Sequence, residues 1–200
     1  KEQVVTSLTN AVTSRLQADV PVGVFLSGGI DSSAVAALAV SAKRDEKVRS
    51  FSIGFEDASF DESRYSKAMA DRLSTIHEAQ VLSSSLCLDL LEPIYSRLDE
   101  PIGDSSLVPS FLMCNLASKY VTVAIGGDGS DELFAGYDTH AAAVARARYR
   151  WIPGPLRRGI IAPLAGLLPV SHAKLSFEFK AKRFVHGAEL SLAGAHHAWR

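Results

Sequence analysis

VPVGVFLSGGIDSSAVAALAV, residues 20–40, holds a strand, a turn and a helix in immediate succession. The run Val20–Leu26 is short and continuously apolar, as strands buried on both faces of a parallel sheet are. Ser27-Gly28-Gly29-Ile30-Asp31-Ser32-Ser33 then turns the chain, and Ala34–Val40 reads as helix. The same alternation continues outward. Val48–Phe55 predicts a second strand and Asp61–Leu73 a second helix, capped by Asp61 or Ser59. His77–Leu82 is a weaker third strand, followed by a helix over Leu86–Leu98 interrupted near Pro93 and another over Pro109–Lys119. Val121–Ile125 predicts a fourth buried strand that leads into Gly126-Gly127-Asp128-Gly129-Ser130-Asp131-Glu132. Upstream, Val4, Val5, Leu8, Val12 and Leu16 fall at helical spacing. The fold class is therefore α/β, a doubly wound and mostly parallel sheet. From Thr139 onward the chain is helical, basic and broken by prolines.

Composition sets the outer limits. The chain has 200 residues, 47% hydrophobic and 22% charged, within the globular range and long enough for a substantial core. Net charge is −1, so no global field draws it to nucleic acid or to an anionic membrane. That average conceals a division: residues 1–138 carry 11 basic and 20 acidic side chains, residues 139–200 carry 10 and 2. Cys87 and Cys114 lack ligand spacing and read as small core residues, which argues against a disulfide scaffold or zinc site. The apolar stretch Gly159–Val170 is too short and too proline-broken to span a bilayer, and no signal peptide is apparent. A cytoplasmic setting is the expectation.

The two glycine turns carry the chemistry. Ligands of open parallel sheets bind beyond the carboxyl ends of the strands, where both turns stand. The first presents successive backbone N–H groups at a helix N-terminus, an anion cradle to which Ser27, Ser32 and Ser33 add hydroxyls. It lacks the Gly-Lys-Ser/Thr of a Walker loop. Asp31 would repel a phosphate unless a hard cation lay between them, and Mg²⁺ between a carboxylate and phosphate oxygens removes that conflict. Asp131, after the second turn, offers a second carboxylate.

These stretches resemble a known family. SGGIDSS is similar to the pyrophosphate loop of ATP pyrophosphatases. VPVGVFLSGGIDSSAVAAL, FSIGF, LDEPIGDSSLVPSFLM and VTVAIGGDGSDELFAGY together resemble the synthetase domain of glutamine-hydrolysing asparagine synthetases. The resemblance covers roughly residues 1–140, leaving 141–200 as a partial helical region. It implies that Ser27, Gly28, Gly29, Asp31 and Ser32 bind pyrophosphate, with Asp31 and Asp131 meeting Mg²⁺. Backbone around Phe25, Leu26, Ile53, Gly126 and Gly127 would hold adenine and ribose. Asp128, often Glu in the family, would support acyl-adenylate formation, and Tyr137 would face the acyl acceptor. Asp99, Glu100, Asp104 and Ser105 would border the substrate pocket. The implied reaction uses ATP to adenylate a carboxylate, L-aspartate first among candidates; pyrophosphate leaves, and ammonia displaces AMP.

Family members also carry an amino-terminal glutaminase domain and a lysine farther downstream than this sequence runs. The 200 residues thus resemble a synthetase core without its glutaminase partner, expected to lack glutamine hydrolysis and to show little synthetase activity alone. A homodimer is a candidate assembly. Rival readings are a paralogue acting on another carboxylate, such as a β-lactam-forming synthetase, and an ATP-binding sensory module. The loop Asp99–Ser106 contains no arginine to clamp an α-carboxylate; Arg97 is the nearest upstream.

Plainer readings stand beside these. Either glycine turn alone is an ordinary strand-to-helix connection, and Glu132 is a helix-start carboxylate favoured by the dipole. His77 reads as a structural residue, and His186, His196 and His197 lack metal spacing, the last two as solvated tail. Arg146-Ala-Arg148-Tyr-Arg150-Trp151 reads as one solvated helix face rather than an RNA contact.

Overall fold

A computed structural model describes residues 1–43, 46–170 and 176–199, and divides the chain into two compact units, Lys1–Asp128 and Gly129–Arg200. In the first unit, α1 (Glu2–Leu16) precedes β1 (Val22–Phe25), α2 (Ile30–Ala42), β2 (Arg49–Phe55), α3 (Ser63–Leu73) and β3 (Ile76–Leu82). Then come α4 (Ser84–Tyr95), α5 (Leu107–Ser118) and β4 (Val123–Ile125). The strands form one parallel sheet in the order β3-β2-β1-β4. The chain builds outward from β1 to β3, then returns to the other side of β1 to place β4. That reversal creates a switch point between β1 and β4, where open α/β sheets bind ligands.

Side-chain alternation along the strands feeds two cores. Val24 and Leu26 pack with Val12 of α1, Val35, Ala36 and Ala39 of α2, and Ala70 of α3. Phe51 points to the opposite face, with Leu116 and Ala117 of α5, Val121, and partly buried Phe25 and Ile53. Gly23 lies beneath this second cluster, where a Cβ would stand 2.6 Å from the Phe51 ring. Helices therefore cover both faces of β1 and β2, the doubly wound arrangement the apolar runs predict.

Several boundaries and burials differ from the sequence expectations. β4 is an edge strand, and Val123 is 41% exposed rather than buried. The N-cap of α3 is Glu62; Asp61 instead accepts from the Phe55 and Ser63 amides (both 3.2 Å) and the Ser63 hydroxyl, which ties the helix to the end of β2. Those bonds hold the Asp61 carboxyl below its usual pKa range, the Ser63 hydroxyl contributing most. Ser59 caps nothing; its amide donates to Asp57. α4 begins earlier, capped by Ser83 Oγ accepting from the Leu86 amide, and runs through Pro93. Cys114 is exposed, not a core residue, because α5 turns its other face to the sheet.

The second unit contains α6 (Ser130–Phe134), α7 (Asp138–Tyr149), α8 (Gly154–Leu156), a π-helical turn over Arg157–Ile161, α9 (Ala162–Gly166), α10 (Phe177–Ala188) and α11 (Leu192–Trp199). Its polar joints are arginines. Arg146, expected on a solvated face, is buried and donates to the Ala188 and Leu190 carbonyls at the end of α10. Arg157, also buried, donates to the Ile152 carbonyl and pairs with Glu189. Helix carboxyl ends leave carbonyls unpaired, and a guanidinium with several fixed donors suits them. His196, expected as solvated tail, is half-buried, its ring 5.8 Å from that of His140 and 5.9 Å from that of Trp199. No helix among the described residues is long and apolar enough to cross a membrane.

Candidate active site

β1 ends at Phe25 and its chain enters the first turn with Leu26 fully buried, its amide donating to the Phe51 carbonyl at 2.8 Å. Gly28 then takes a left-handed conformation, φ +83°. Its α-carbon lies hard against α3: a Cβ there would stand 2.4 Å from the Tyr65 carbonyl carbon and 2.6 Å from the Ser66 nitrogen. Only glycine meets both demands. Gly29 caps α2 without a side-chain hydrogen bond, so the first-turn amides of Ile30, Asp31 and Ser32 stay available, with the positive end of the dipole behind them.

The turn's hydroxyls engage one another. Ser27 Oγ lies 2.9 Å from Ser32 Oγ, the Ser27 amide donates to Ser32 Oγ at 3.2 Å, and the Gly29 amide donates to Ser27 Oγ at 3.3 Å. An arriving anion can take over these donors without any rearrangement of the backbone. Ser33 departs from expectation: it is buried and its Oγ has no partner among the described residues, so it faces the protein rather than the open cradle. Asp31 is half-buried, and its carboxylate takes no hydrogen bond or ion pair among the described residues. A free carboxylate beside an anion cradle is the donor that a phosphate-bridging Mg²⁺ needs. Among the described residues no cluster of three or more His, Cys, Asp or Glu forms a self-contained metal centre.

The second turn reaches the same place. The register pairs Val24 with Ile125, so Gly126 and Gly127 emerge beside Phe25 and Leu26. A Cβ on Gly127 would lie 3.0 Å from the Ser32 nitrogen and 3.2 Å from the Asp31 Cβ. One on Gly126 would meet the Asp128 carboxylate at 2.5 Å and the Phe25 ring at 3.8 Å. Register Phe25↔Phe51 brings Ile53 alongside, two residues farther along β2. Phe25, Leu26, Ser27, Gly28, Gly29, Asp31, Ser32, Ile53, Gly126, Gly127 and Asp128 thus gather at the carboxyl edge of β2, β1 and β4.

The expected substrate-pocket residues fall elsewhere in this unit. Asp104 and Ser105 line a pocket of about 480 Å³ beyond β2 and β3, with Phe55, Asp57, Phe60 and Leu82. The Ser106 amide, donating to Asp104 at 2.8 Å, holds that carboxyl below its usual range. Asp99 and Glu100 are exposed and do not line this pocket. Asp131 and Tyr137 belong to the second unit. There the Asp131 carboxylate folds over Gly136, where a Cβ would stand 2.0 Å from it. The Tyr137 hydroxyl donates to Glu132, so Glu132 is more than a helix-start charge.

Comparison with known proteins gives this geometry a family. The sequence model for asparagine synthase matches residues 3–198. The chain belongs to the asparagine synthase family. Asparagine synthetase (glutamine-hydrolyzing) 1 of Bacillus subtilis is 32% identical over 163 residues, 82% of this chain and 25% of that protein. The Zea mays asparagine synthetase (glutamine-hydrolyzing) is 35% identical over 138 residues, 64% of this chain and 23% of that protein. The chain spans about a quarter of the length of the curated relatives it matches. Among solved structures, an NH3-dependent NAD synthetase from Campylobacter jejuni is a distant likeness, 18% identical with a TM-score of 0.45 over 68% of this chain and 60% of that one.

In this chain the sequence motifs marked the two turns but not their support. Tyr65 and Ser66 carry no motif, yet they seat Gly28. The one available signal was a serine at a helix position whose neighbours are charged or polar. Glu56, Asp57 and Phe60 likewise line the pocket beyond β2 and β3 unannounced.

Proposed function

We propose that this chain is the ATP-handling core of an amide-forming synthetase, which adenylates L-aspartate, releases pyrophosphate and presents the acyl-adenylate to ammonia. One observation carries the reading: two glycine turns, distant in sequence, abut at Gly127 and Asp31–Ser32, at the switch point of a parallel sheet. The first-turn amides of α2 and the hydroxyls of Ser27 and Ser32 take the negative charge that develops on the leaving pyrophosphate. Preorganised donors of this kind supply most of the acceleration in such displacements. Phe25, Leu26, Ile53, Gly126 and Gly127 form the adjacent wall for adenine and ribose. Asp31 and Asp131 are the carboxylates for Mg²⁺, the pairing with Asp131 resting on the family resemblance. Bound Mg²⁺ would neutralise polyphosphate charge and favour pyrophosphate as a leaving group. Asp128 assists adenylate formation and Tyr137 faces the acyl acceptor. Ammonia comes from the glutaminase domain of the longer protein, whose setting is the cytoplasm and whose assembly is a homodimer.

A second reading has its own observation. The pocket lined by Asp104 and Ser105 contains Glu56 and Asp57 but, among the described residues, neither lysine nor arginine. Arg97, the nearest cation in sequence, donates to the Pro93 carbonyl at 2.6 Å and lies over the Phe111 ring. An α-carboxylate clamp is therefore missing from that pocket, which favours a paralogue acting on a different carboxylate. Both readings are tested by pyrophosphate release from the full-length protein with ATP, Mg²⁺, ammonia and a panel of carboxylates. Release with aspartate, yielding AMP and asparagine, supports the first; release only with another acid supports the second. Asp31→Asn lowers release about a hundredfold in either case, as loss of a transition-state electrostatic group does. Unchanged turnover in that variant removes Asp31 from the site.

A further inference from the structure

The ring of His77 on β3 is held at both nitrogens. Nδ1 lies 2.8 Å from Ser50 Oγ and Nε2 lies 3.2 Å from Ser52 Oγ. Ser50 Oγ continues to Thr75 Oγ1 at 2.7 Å, and Ser52 Oγ to Ser66 Oγ at 3.2 Å. The Ser66 hydroxyl has one proton and two acceptors in reach, Ser52 Oγ and the Ser63 carbonyl, the latter at 2.9 Å. Ser50, Ser52 and Ser66 are all buried. The far end of this line is the backbone against which Gly28 is pressed. Hydrogen bonds thus run from His77 through β2 to the turn of α3 that seats the anion cradle.

A neutral imidazole accepts from one serine and donates to the other, whereas an imidazolium donates at both nitrogens. Charging the ring must therefore turn a hydroxyl; where Ser66 donates to Ser52, both buried, Ser66 has to release Ser52 for the Ser63 carbonyl. Buried networks tolerate such a defect poorly. We propose that His77 is a positioning residue for the glycine loop, and that charging its ring loosens the loop's hold on polyphosphate through Ser52, Ser66 and Gly28. The inference rests on the reading of that loop as a polyphosphate cradle.

The charged groups facing the ring are Lys67 and Asp71 on α3 and Glu78 on β3; Glu78 lies 3.8 Å from Arg49 on β2. Burial first, and Lys67 second, push the His77 pKa down, against opposing pulls from Asp71, Glu78 and a backbone hydrogen bond at Ser50. The ring is accordingly neutral at neutral pH and charges only in acid.

The test is calorimetric titration of the chain with inorganic pyrophosphate and Mg²⁺ from pH 8 to pH 5.5. His77→Gln keeps a donor and an acceptor but does not titrate. The unaltered chain is expected to lose more affinity than His77→Gln toward the acid end of this range, approaching about fivefold as the ring becomes fully charged, the low end of coupling between sites. At pH 8 the two should bind alike. Pyrophosphate's own protonation affects both proteins equally and cancels in the comparison. Ser52→Ala, which cuts the line one link later, should flatten the profile in the same way and serves if His77→Gln fails to fold. Equal slopes in the unaltered and altered chains overturn the role of His77 while leaving the cradle intact. Absence of pyrophosphate binding by the unaltered chain at every pH overturns both.

Discussion

Gly28 and Gly129 share a backbone conformation, φ +83° and +89°; the first lies one residue before the N-cap of α2, the second is the N-cap of α6. Their surroundings are opposite. Gly28 is jammed against Tyr65 and Ser66, whereas nothing lies within 4 Å of where a Cβ on Gly129 would sit. The first glycine is there for its angle and for close packing, the second for its angle alone. The first turn is thus gripped at Gly28 by α3 of its own unit, whereas at Gly129 the second turn is shaped by its local backbone.

Gly28→Ala should have the largest effect. Overpacking against a helix backbone and a left-handed alanine together cost about 3 kcal/mol. Chemical unfolding followed by circular dichroism would measure this, and pyrophosphate binding should disappear with it. A loss below about 1 kcal/mol would mean that α3 yields easily and the grip is illusory.

Arg146→Met comes next and asks whether the second unit has a grip of its own. It leaves the Ala188 and Leu190 carbonyls without their charged donor, worth about 2 kcal/mol. Trp151 and Trp199, the only tryptophans, both lie in the second unit and report its unfolding by fluorescence. An unchanged fluorescence midpoint would show that water replaces the guanidinium there.

Gly129→Ala should cost about 1 kcal/mol, the penalty of the left-handed conformation without a clash. If it proved as damaging as Gly28→Ala, the contrast between the turns would collapse.

The smallest effect is a pH dependence from His77, whose folded pKa lies below its unfolded one. The unfolded chain then binds the proton more tightly. The ring's contribution to stability is complete above about pH 6.5 and is lost as pH falls toward the lowered value. Melting temperatures from pH 7.5 to 5 should fall more steeply for the unaltered chain than for His77→Gln.

Much of this contrast was legible in the sequence, and the reasons are specific. The strand runs Val20–Leu26 and Val48–Phe55 and both glycine turns stood out because apolar runs and Gly-rich punctuation are local signals; His77–Leu82, with its polar residues, gave a weaker one. Burial at β4 was not legible: VTVAI is as apolar as a central strand, and only the order of the sheet makes it an edge. Arg146 was misread because an alternating arginine pattern looks solvated until a distant carbonyl end claims one guanidinium. Ser33 looked like a further cradle hydroxyl, since its spacing from Ser32 does not reveal which side of α2 faces inward. The line from His77 to Ser66 joins three separate elements and has no signature in any of them.

The strand order also says when the site can come into being. β1 and β2 are joined through a single intervening helix and can pair early, but the register Val22↔Val123 closes the longest loop of the sheet. Contacts of such wide separation are the slow ones in folding, because loop closure comes before any reward. A growing chain that has reached only Leu82 already owns three strands and the first glycine turn, yet no wall beside it. If the first turn and this wall hold a nucleotide as proposed, that capacity is a late acquisition during synthesis, and its appearance would mark the moment β4 docks.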